Sequence, residues 1–292
     1  LSIETNADNN KPFKLINVAN SSLHKLYVVE TSMEQRTLKK VILNENIDTL
    51  TIGGYISRGD VPQQSVELVG LSRLNRLKRL SYNPDFSPIA TKDLPKNIEE
   101  LYIGGSGNVP YNDGDSFDYS HLSKLKIYSN GKFISANMKL STAIDSIYLF
   151  PSQVFGDLKA LDFSGLKFTK ADIYIGSLTR NDVELPMLKR FVFPATLRQL
   201  KLSYAQSEVV DLSRCTHLKS LYVFESGAGE RAIKKLILPK NLKKSDFKRQ
   251  HKSEFENDYA FKLSDISNET VIENLPSWVE NDGNGTYSVP ND

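Results

Sequence analysis

The chain holds a single cysteine among its 292 residues, so no disulfide can close within it and its stability has to come from packing. Cys215 stands in Cys215-Thr216-His217-Leu218, directly before an apolar position. With no histidine or acid placed to activate it, it reads as a small buried hydrophobe. The four histidines, His24, His121, His217 and His251, are scattered without metal-ligand spacing and read as turn residues. An excess of either charge is absent too: 37 Lys and Arg face 35 Asp and Glu, which argues against a nucleic-acid partner. The one basic cluster, Lys234, Lys235, Lys243, Lys244, Lys248, Arg249 and Lys252, fits solvated strand edges. No apolar run reaches the length of a membrane span, so this chain is not expected to insert into a bilayer.

The chemistry of a site is equally thin. Gly53-Gly54 and Gly104-Gly105-Ser106-Gly107 follow strand-like segments but lack the downstream Lys-Ser/Thr of a phosphate cradle. Asn112-Asp113-Gly114-Asp115 with Asp118 opens like a calcium loop, yet no glutamate follows at the distance an EF-hand requires, and an Asx-rich turn is the simpler reading. No acid, base and nucleophile are placed in mutual reach. The expectation is therefore no catalytic residue, no metal and no cofactor, in a chain that is not an enzyme.

What the sequence does have is a recurring apolar skeleton, x-L-x-x-L-x-L. It runs through Phe13/Ile16/Val18, Leu23/Leu26/Val28, Leu38/Val41/Leu43, Ile47/Leu50/Ile52, Leu77/Leu80/Tyr82, Ile98/Leu101/Ile103, Leu122/Leu125/Ile127, Ile144/Ile147/Leu149 and Leu158/Leu161/Phe163. It resumes at Leu188/Phe191/Phe193, Leu197/Leu200/Leu202, Leu218/Leu221/Val223 and Ile233/Leu236/Leu238. Close pairs nine residues apart begin at Leu38 and Ile47, at Leu188 and Leu197, and at Ile233 and Leu242. Leu94-Pro95-Lys96-Asn97 recurs as Leu238-Pro239-Lys240-Asn241. An apolar-acidic-apolar-Ser element recurs at Phe117 to Ser120, Leu161 to Ser164 and Val210 to Ser213, each reading as a strand followed by a turn. Repetition at this period means stacked units that bury a shared core.

The last two apolar residues of each copy alternate with one outward residue, which is the period of a strand with one buried face. The pattern predicts a leucine-rich-repeat right-handed solenoid, mostly β with short helical or 3-10 segments and stacked parallel strands. Short helical pieces are expected over Glu34 to Lys40, Ser72 to Arg79 and Ser245 to Phe255. Residues 1–257 form the solenoid in this reading, with 1–12 a loose N-terminal segment. Residues 258–292 form a C-terminal cap, because Asp282-Gly283-Asn284-Gly285 lies between Trp278-Val279 and Tyr287-Ser288-Val289 as a hairpin turn would.

Two stretches carry a family resemblance: Asp211-Leu212-Ser213-Arg214-Cys215 continuing to Leu218 and Leu221, and Ile233 to Leu242 with its internal Leu238-Pro239. They resemble the BspA-like leucine-rich repeats of bacterial surface proteins, over roughly Phe13 to Phe247. Longer polar inserts at Ser57 to Val66, Asn83 to Lys92, Gly104 to Ser116 and Ser177 to Leu185 depart from that pattern. The resemblance implies an extracellular or outer-surface protein, exported or lipid-anchored through a segment outside this sequence, and a role in adhesion or recognition. It supplies no catalytic residues.

Aromatics fill the slots that the strand period turns outward. Tyr27, Tyr102, Tyr148 and Tyr222 stand between the last two apolar positions, and Tyr128, Phe150, Tyr204 and Phe224 follow one or two residues later. On stacked strands these slots share one face. The expected binding surface is Tyr102, Tyr128, Tyr148, Phe150, Tyr222 and Phe224, on a monomer. Its expected ligand is a protein, host-derived partners included, with a glycan as the alternative and a structural spacer as a third reading. Strand propensity alone also places Tyr and Phe there.

Overall fold

The computed structural model describes residues 1–6, 13–32, 37–56, 65–104, 117–151, 153–176, 179–180, 183–184, 187–225, 232–247 and 261–289. The chain divides into two compact units, Leu1–Ala143 and Ile144–Asp292. Both are built mostly of short strands. The described helical segments are three single 3-10 turns, Leu71–Arg73, Thr91–Asp93 and Lys244–Asp246.

In the first unit the strands are β1 (Ser2–Asn6), β2 (Leu15–Asn17), β3 (Lys25–Ser32), β4 (Lys40–Ile42), β5 (Thr49–Ile56), β6 (Glu67–Val69), β7 (Arg79–Tyr82), β8 (Glu100–Ile103), β9 (Ile127–Asn130) and β10 (Phe133–Ser135). β1, β3, β5, β7, β8 and β9 lie side by side in that order, all parallel. β2, β4 and β6 make a second parallel sheet. The register puts like on like: Leu26, Leu50, Leu80 and Leu101 are cross-strand partners in turn, as are Val28, Ile52, Tyr82 and Ile103. Every member of both rows is buried. Fully burying one such side chain contributes about 1.5–3 kcal/mol, so the ladders are the main source of cohesion.

The second unit repeats the scheme with β11 (Ser146–Leu149), β12 (Gln153–Phe155), β13 (Ala160–Asp162), β14 (Lys170–Tyr174), β15 (Thr179–Arg180), β16 (Val183–Glu184), β17 (Arg190–Val192), β18 (Gln199–Ser203), β19 (Val209–Asp211), β20 (Ser220–Phe224), β21 (Lys235–Ile237), β22 (Phe261–Ser264), β23 (Val271–Glu273), β24 (Glu280–Asn281) and β25 (Tyr287–Ser288). One parallel row is β11, β14, β18, β20 and β22, and the other is β13, β17, β19, β21 and β23. Ile147, Ala171, Leu200, Leu221 and Phe261 form one inward ladder. Leu161, Phe191, Val210, Leu236 and Ile272 form the other. Two of the three close pairs of skeletons thus have a structural meaning: within each the chain lays one strand in each sheet, β4 then β5, and β17 then β18, whereas in the third β21 is followed by the 3-10 turn Lys244–Asp246.

Backbone bonds repeat from strand to strand. The Asp48 carbonyl accepts from Lys78 and Arg79 N–H, Lys78 from Glu99 and Glu100, and Glu99 from Lys126 and Ile127. Thr169 and Arg198 do the same in the second unit. Gly54 answers to crowding, since a Cβ there would lie 2.5 Å from both the Glu30 carbonyl oxygen and the Phe86 ring.

Four expectations need correction. Residues 1–6 are not loose: Ser2–Asn6 pairs with Tyr27–Thr31, because the alternating Ser-Ile-Glu-Thr sequence suits an edge strand and the ladder satisfies its backbone. Phe13 is 56% exposed and so stands outside the core that Ile16 and Val18 enter. In β9 the register slips by one, so that Tyr128 and Asn130, not Ile127, point inward opposite Leu101 and Ile103. The alternative register would bury Ile127 and Ser129 instead. The observed one buries a large ring and lets Asn130 Oδ1 accept the N–H groups of Lys132 and Phe133 at 3.0 and 3.1 Å. The helical expectation over Ser72 to Arg79 shrinks to the turn ending at Arg73, with β7 beginning at Arg79. Much of Glu34 to Lys40 and of Ser245 to Phe255 lies outside the described residues.

The expected hairpin is present. β24 and β25 pair antiparallel, and β25 pairs antiparallel with β22, covering the last parallel strand of the second unit. Asp282 Oδ1 accepts the N–H groups of Asn284 and Thr286 at 2.7 and 3.0 Å, and these bonds hold its carboxyl below the usual range. Trp278 packs on Phe247 and Phe261, with ring centroids 5.6 and 5.5 Å away, and donates Nε1–H to the Leu242 carbonyl at 3.2 Å.

Candidate functional site

Strand alternation builds the site. In β14, β18 and β20 the inward residues are core aliphatics, so Asp172 and Tyr174, Lys201 and Ser203, and Tyr222 and Phe224 face outward. The register sets them in rows: Tyr148, Asp172, Lys201, Tyr222 and Lys262 are successive partners, and Tyr174, Ser203 and Phe224 form the next row. Ser203 places no ring between Tyr174 and Phe224. Tyr204, the residue after it, does: its centroid lies 5.2 Å from Tyr174 and 5.1 Å from Phe224, both edge to face. Phe224 and Tyr222, two residues apart on one strand, hold their rings parallel within 7° at 6.5 Å. Four rings therefore make one contiguous patch. Tyr174 is 44% exposed and the other three are half-buried.

Gly176 leaves room for the Tyr174 ring, since its φ is 56° and a Cβ there would lie only 2.7 Å from that ring. Polar groups border it. Lys201 Nζ lies 3.4 Å from Asp172 Oδ2, and Lys170 Nζ lies 5.9 Å from the centre of the Tyr148 ring. Behind it Glu225 is buried, and its Oε1 accepts the Ala205 N–H at 2.8 Å. Burial pushes this carboxyl up to about 7 against the pull of that hydrogen bond.

Of the expected surface residues, Tyr222 and Phe224 belong to the patch, and Tyr148 stands on its row beyond Asp172 and Lys201. Phe150 is 41% exposed, just past β11. Tyr102 is half-buried on β8, its hydroxyl donating to Glu100 Oε2 at 3.1 Å and its ring 4.8 Å from the Arg79 guanidinium. Tyr128 is withdrawn from the surface set: it is fully buried, its ring 5.3 Å from Tyr119 and its hydroxyl accepting from Asn130 Nδ2 at 3.0 Å. Sequence reasoning missed Tyr174, whose signal is its place between Ile173 and Ile175, and Glu225. The signal for Glu225 is a repeat, Leu26-Tyr27-Val28-Val29-Glu30 against Leu221-Tyr222-Val223-Phe224-Glu225.

Cys215 is buried, with its Sγ 3.4 Å from the Pro194 carbonyl. Burial first, and Asp211 second, push its thiol up to about 12, which leaves no thiolate for chemistry at neutral pH. Among the described residues no group of three or more His, Cys, Asp and Glu is arranged to hold a metal ion, and Asn112 to Asp115 lie outside them. No described helix is long and apolar enough to cross a membrane. No protein-family model, curated protein or solved structure matches the chain.

Proposed function

We propose that the chain is a non-enzymatic binding and adhesion module of a cell surface, a right-handed leucine-rich-repeat solenoid of BspA-like kind that recognises a protein partner through the exposed face of its parallel sheet. The in-register apolar ladders and the strand-to-strand backbone bonds support the repeat reading. The cell-surface assignment follows from the sequence resemblance. The observation that carries the function is the contiguous patch of Tyr174, Tyr204, Phe224 and Tyr222. Aromatic rings offer a protein partner large contact area at low side-chain entropy cost.

A second reading, glycan binding, is favoured by one feature. The row Tyr148, Asp172, Lys201, Tyr222, Lys262 interleaves rings with hydrogen-bonding side chains, which suits the apolar faces and hydroxyl rims of sugars. The test is to pass purified extracellular proteins, and separately a glycan array, over the chain and over its Tyr174→Ala/Tyr222→Ala/Phe224→Ala form. A protein ligand that loses about tenfold or more in affinity on the substituted, still folded chain supports the first reading. Patch-dependent binding of glycans alone moves the function to the second, and equal binding by both chains removes the patch from either role.

A further inference from the structure

The exit of β18 is held in a conformation that side chains avoid. Tyr204 and Gln206 have φ of 51° and 48°, where Cβ crowds the backbone, and neither is glycine. Such strain persists only where the surroundings over-determine it, and it gathers at sites with a task. Three hydrogen bonds fix this turn. Tyr204 N–H donates to the Phe224 carbonyl at 2.9 Å, Leu188 N–H donates to the Gln206 carbonyl at 2.9 Å, and Ala205 N–H donates to Glu225 Oε1 at 2.8 Å. The first two are backbone bonds that many sequences could make. The third needs a side-chain acceptor, and Glu225 supplies one in Oε1 from a position 3% exposed, its own N–H anchored on the Ser264 carbonyl at 3.0 Å.

We propose that Glu225 is the positioning residue of the aromatic patch: its buried side chain grips the Ala205 amide and thereby holds Tyr204 in the left-handed turn that sets its ring between Tyr174 and Phe224. The chain uses the same device a second time. Glu30, in the matching place of the repeated Leu-Tyr-Val-x-Glu, is 2% exposed and accepts the N–H groups of Thr37 and Leu38 at 2.9 and 3.1 Å. There the gripped backbone leads into β4. At Glu225 it carries a ring of the patch. An inward glutamate at the strand exit is thus a general fastener of neighbouring backbone, and in the second unit it fastens the surface on which the proposed function rests.

The test reads the turn itself and needs no ligand, so its failure is distinct from failure of the binding reading. Amide exchange at Ala205 and the NMR ring shifts of Tyr204 and Phe224 are compared in the native chain and in the Glu225→Gln and Glu225→Leu variants. Glutamine keeps an acceptor and is expected to leave both nearly native. Leucine removes it: Ala205 exchange is expected to accelerate by about tenfold or more and the Tyr204 shifts to move toward those of a free tyrosine, while Leu202 and Leu221 amides keep their protection. Uniform loss of protection through β18 and β20 would instead mark Glu225 as a core residue with no special hold on the turn. Unchanged Ala205 exchange and ring shifts in Glu225→Leu would overturn the proposal. Should Glu225→Leu fail to fold, Tyr204→Gly, which relieves the left-handed strain, is expected to restore folding in the double variant; a double variant as unfolded as the single one would equally contradict it.

Discussion

At Asp118, Asp162 and Asp211 one carboxylate does the same small task. Each Oδ1 accepts the N–H of the serine two residues on, at 3.0, 2.8 and 2.9 Å, turning the chain at the end of its apolar-acidic-apolar-Ser element. Hydrogen bonds from Ser120 and Ser164 hold the first two carboxyls below the usual range. At Asp211 burial works the other way, and the Ser213 and Arg190 bonds outweigh it, the Arg190 guanidinium being its ion-pair partner. Glu225 has the opposite sign. Its carboxyl is raised from an ordinary 4.5 to about 7, so the folded state keeps a proton that the unfolded chain gives up. Its contribution to stability is therefore full below about pH 4.5, falls as pH rises, and levels off above about 7, for a total of about 3 kcal/mol. Urea titrations across that window should show a shallower decline for Glu225→Gln than for the native chain. Parallel curves would mean that Glu225 ionises as freely folded as unfolded. In the first unit, Lys132 and Asp85 form an ion pair at 3.2 Å with side chains only 4% and 14% exposed. Lys132→Ala leaves the acid buried and is expected to cost about 3–5 kcal/mol, whereas Lys132→Met with Asp85→Leu should stay close to native in the same denaturation experiment. The Asx turns are legible in the sequence because a repeated local motif specifies them. The inward turn of Tyr128 is not, since nothing near it separates one strand register from the next until Asn130 is seen capping the following turn.

The strands show the same division between what repetition reveals and what packing decides. The skeleton positions from Leu38 to Ile103 are all buried, and so are those of Leu188 to Leu238, which makes the inward face of each strand readable directly from the period. Their assignment to two sheets is only hinted at by the nine-residue pairs, because both strands of a pair carry the same apolar pattern. The patch was half legible for a similar reason. Tyr222 and Phe224 follow a regular skeleton, but Tyr174 belongs to a repeat whose inward residues are Phe168, Ala171 and Ile173, where alanine breaks the leucine pattern. The closing hairpin was fully legible from its Asp-Gly-Asn-Gly turn. It also gives an element-scale prediction. Deleting residues 274–292 removes β24, β25 and Trp278, uncovers Phe247, Phe261 and the β22 edge, and is expected to lower the melting temperature by several degrees and promote association. Calorimetry and size-exclusion chromatography check this. An equally stable, monomeric truncation would leave the hairpin without a covering role.

Across the whole sequence charge is nearly balanced, while among the described residues the exposed rings are unevenly grouped. In Ile144–Asp292 four rings touch in sequence from Tyr174 to Tyr222. In Leu1–Ala143 the outward Tyr27 on β3 and Tyr102 on β8 lie three strand spacings apart, about 14 Å. Strand propensity by itself places single rings such as Tyr27 and Tyr102, whereas the proposed recognition surface calls for touching rings like those described in the second unit. The direct measurement is the dissociation constant for the protein ligand identified by the binding screen, taken for the native chain, for Tyr174→Ala/Tyr222→Ala/Phe224→Ala and for Tyr102→Ala. The expected result is a loss of about tenfold or more in the triple variant with Tyr102→Ala unchanged, all chains being equally folded. Native affinity in the triple variant would contradict the assignment of binding to the patch.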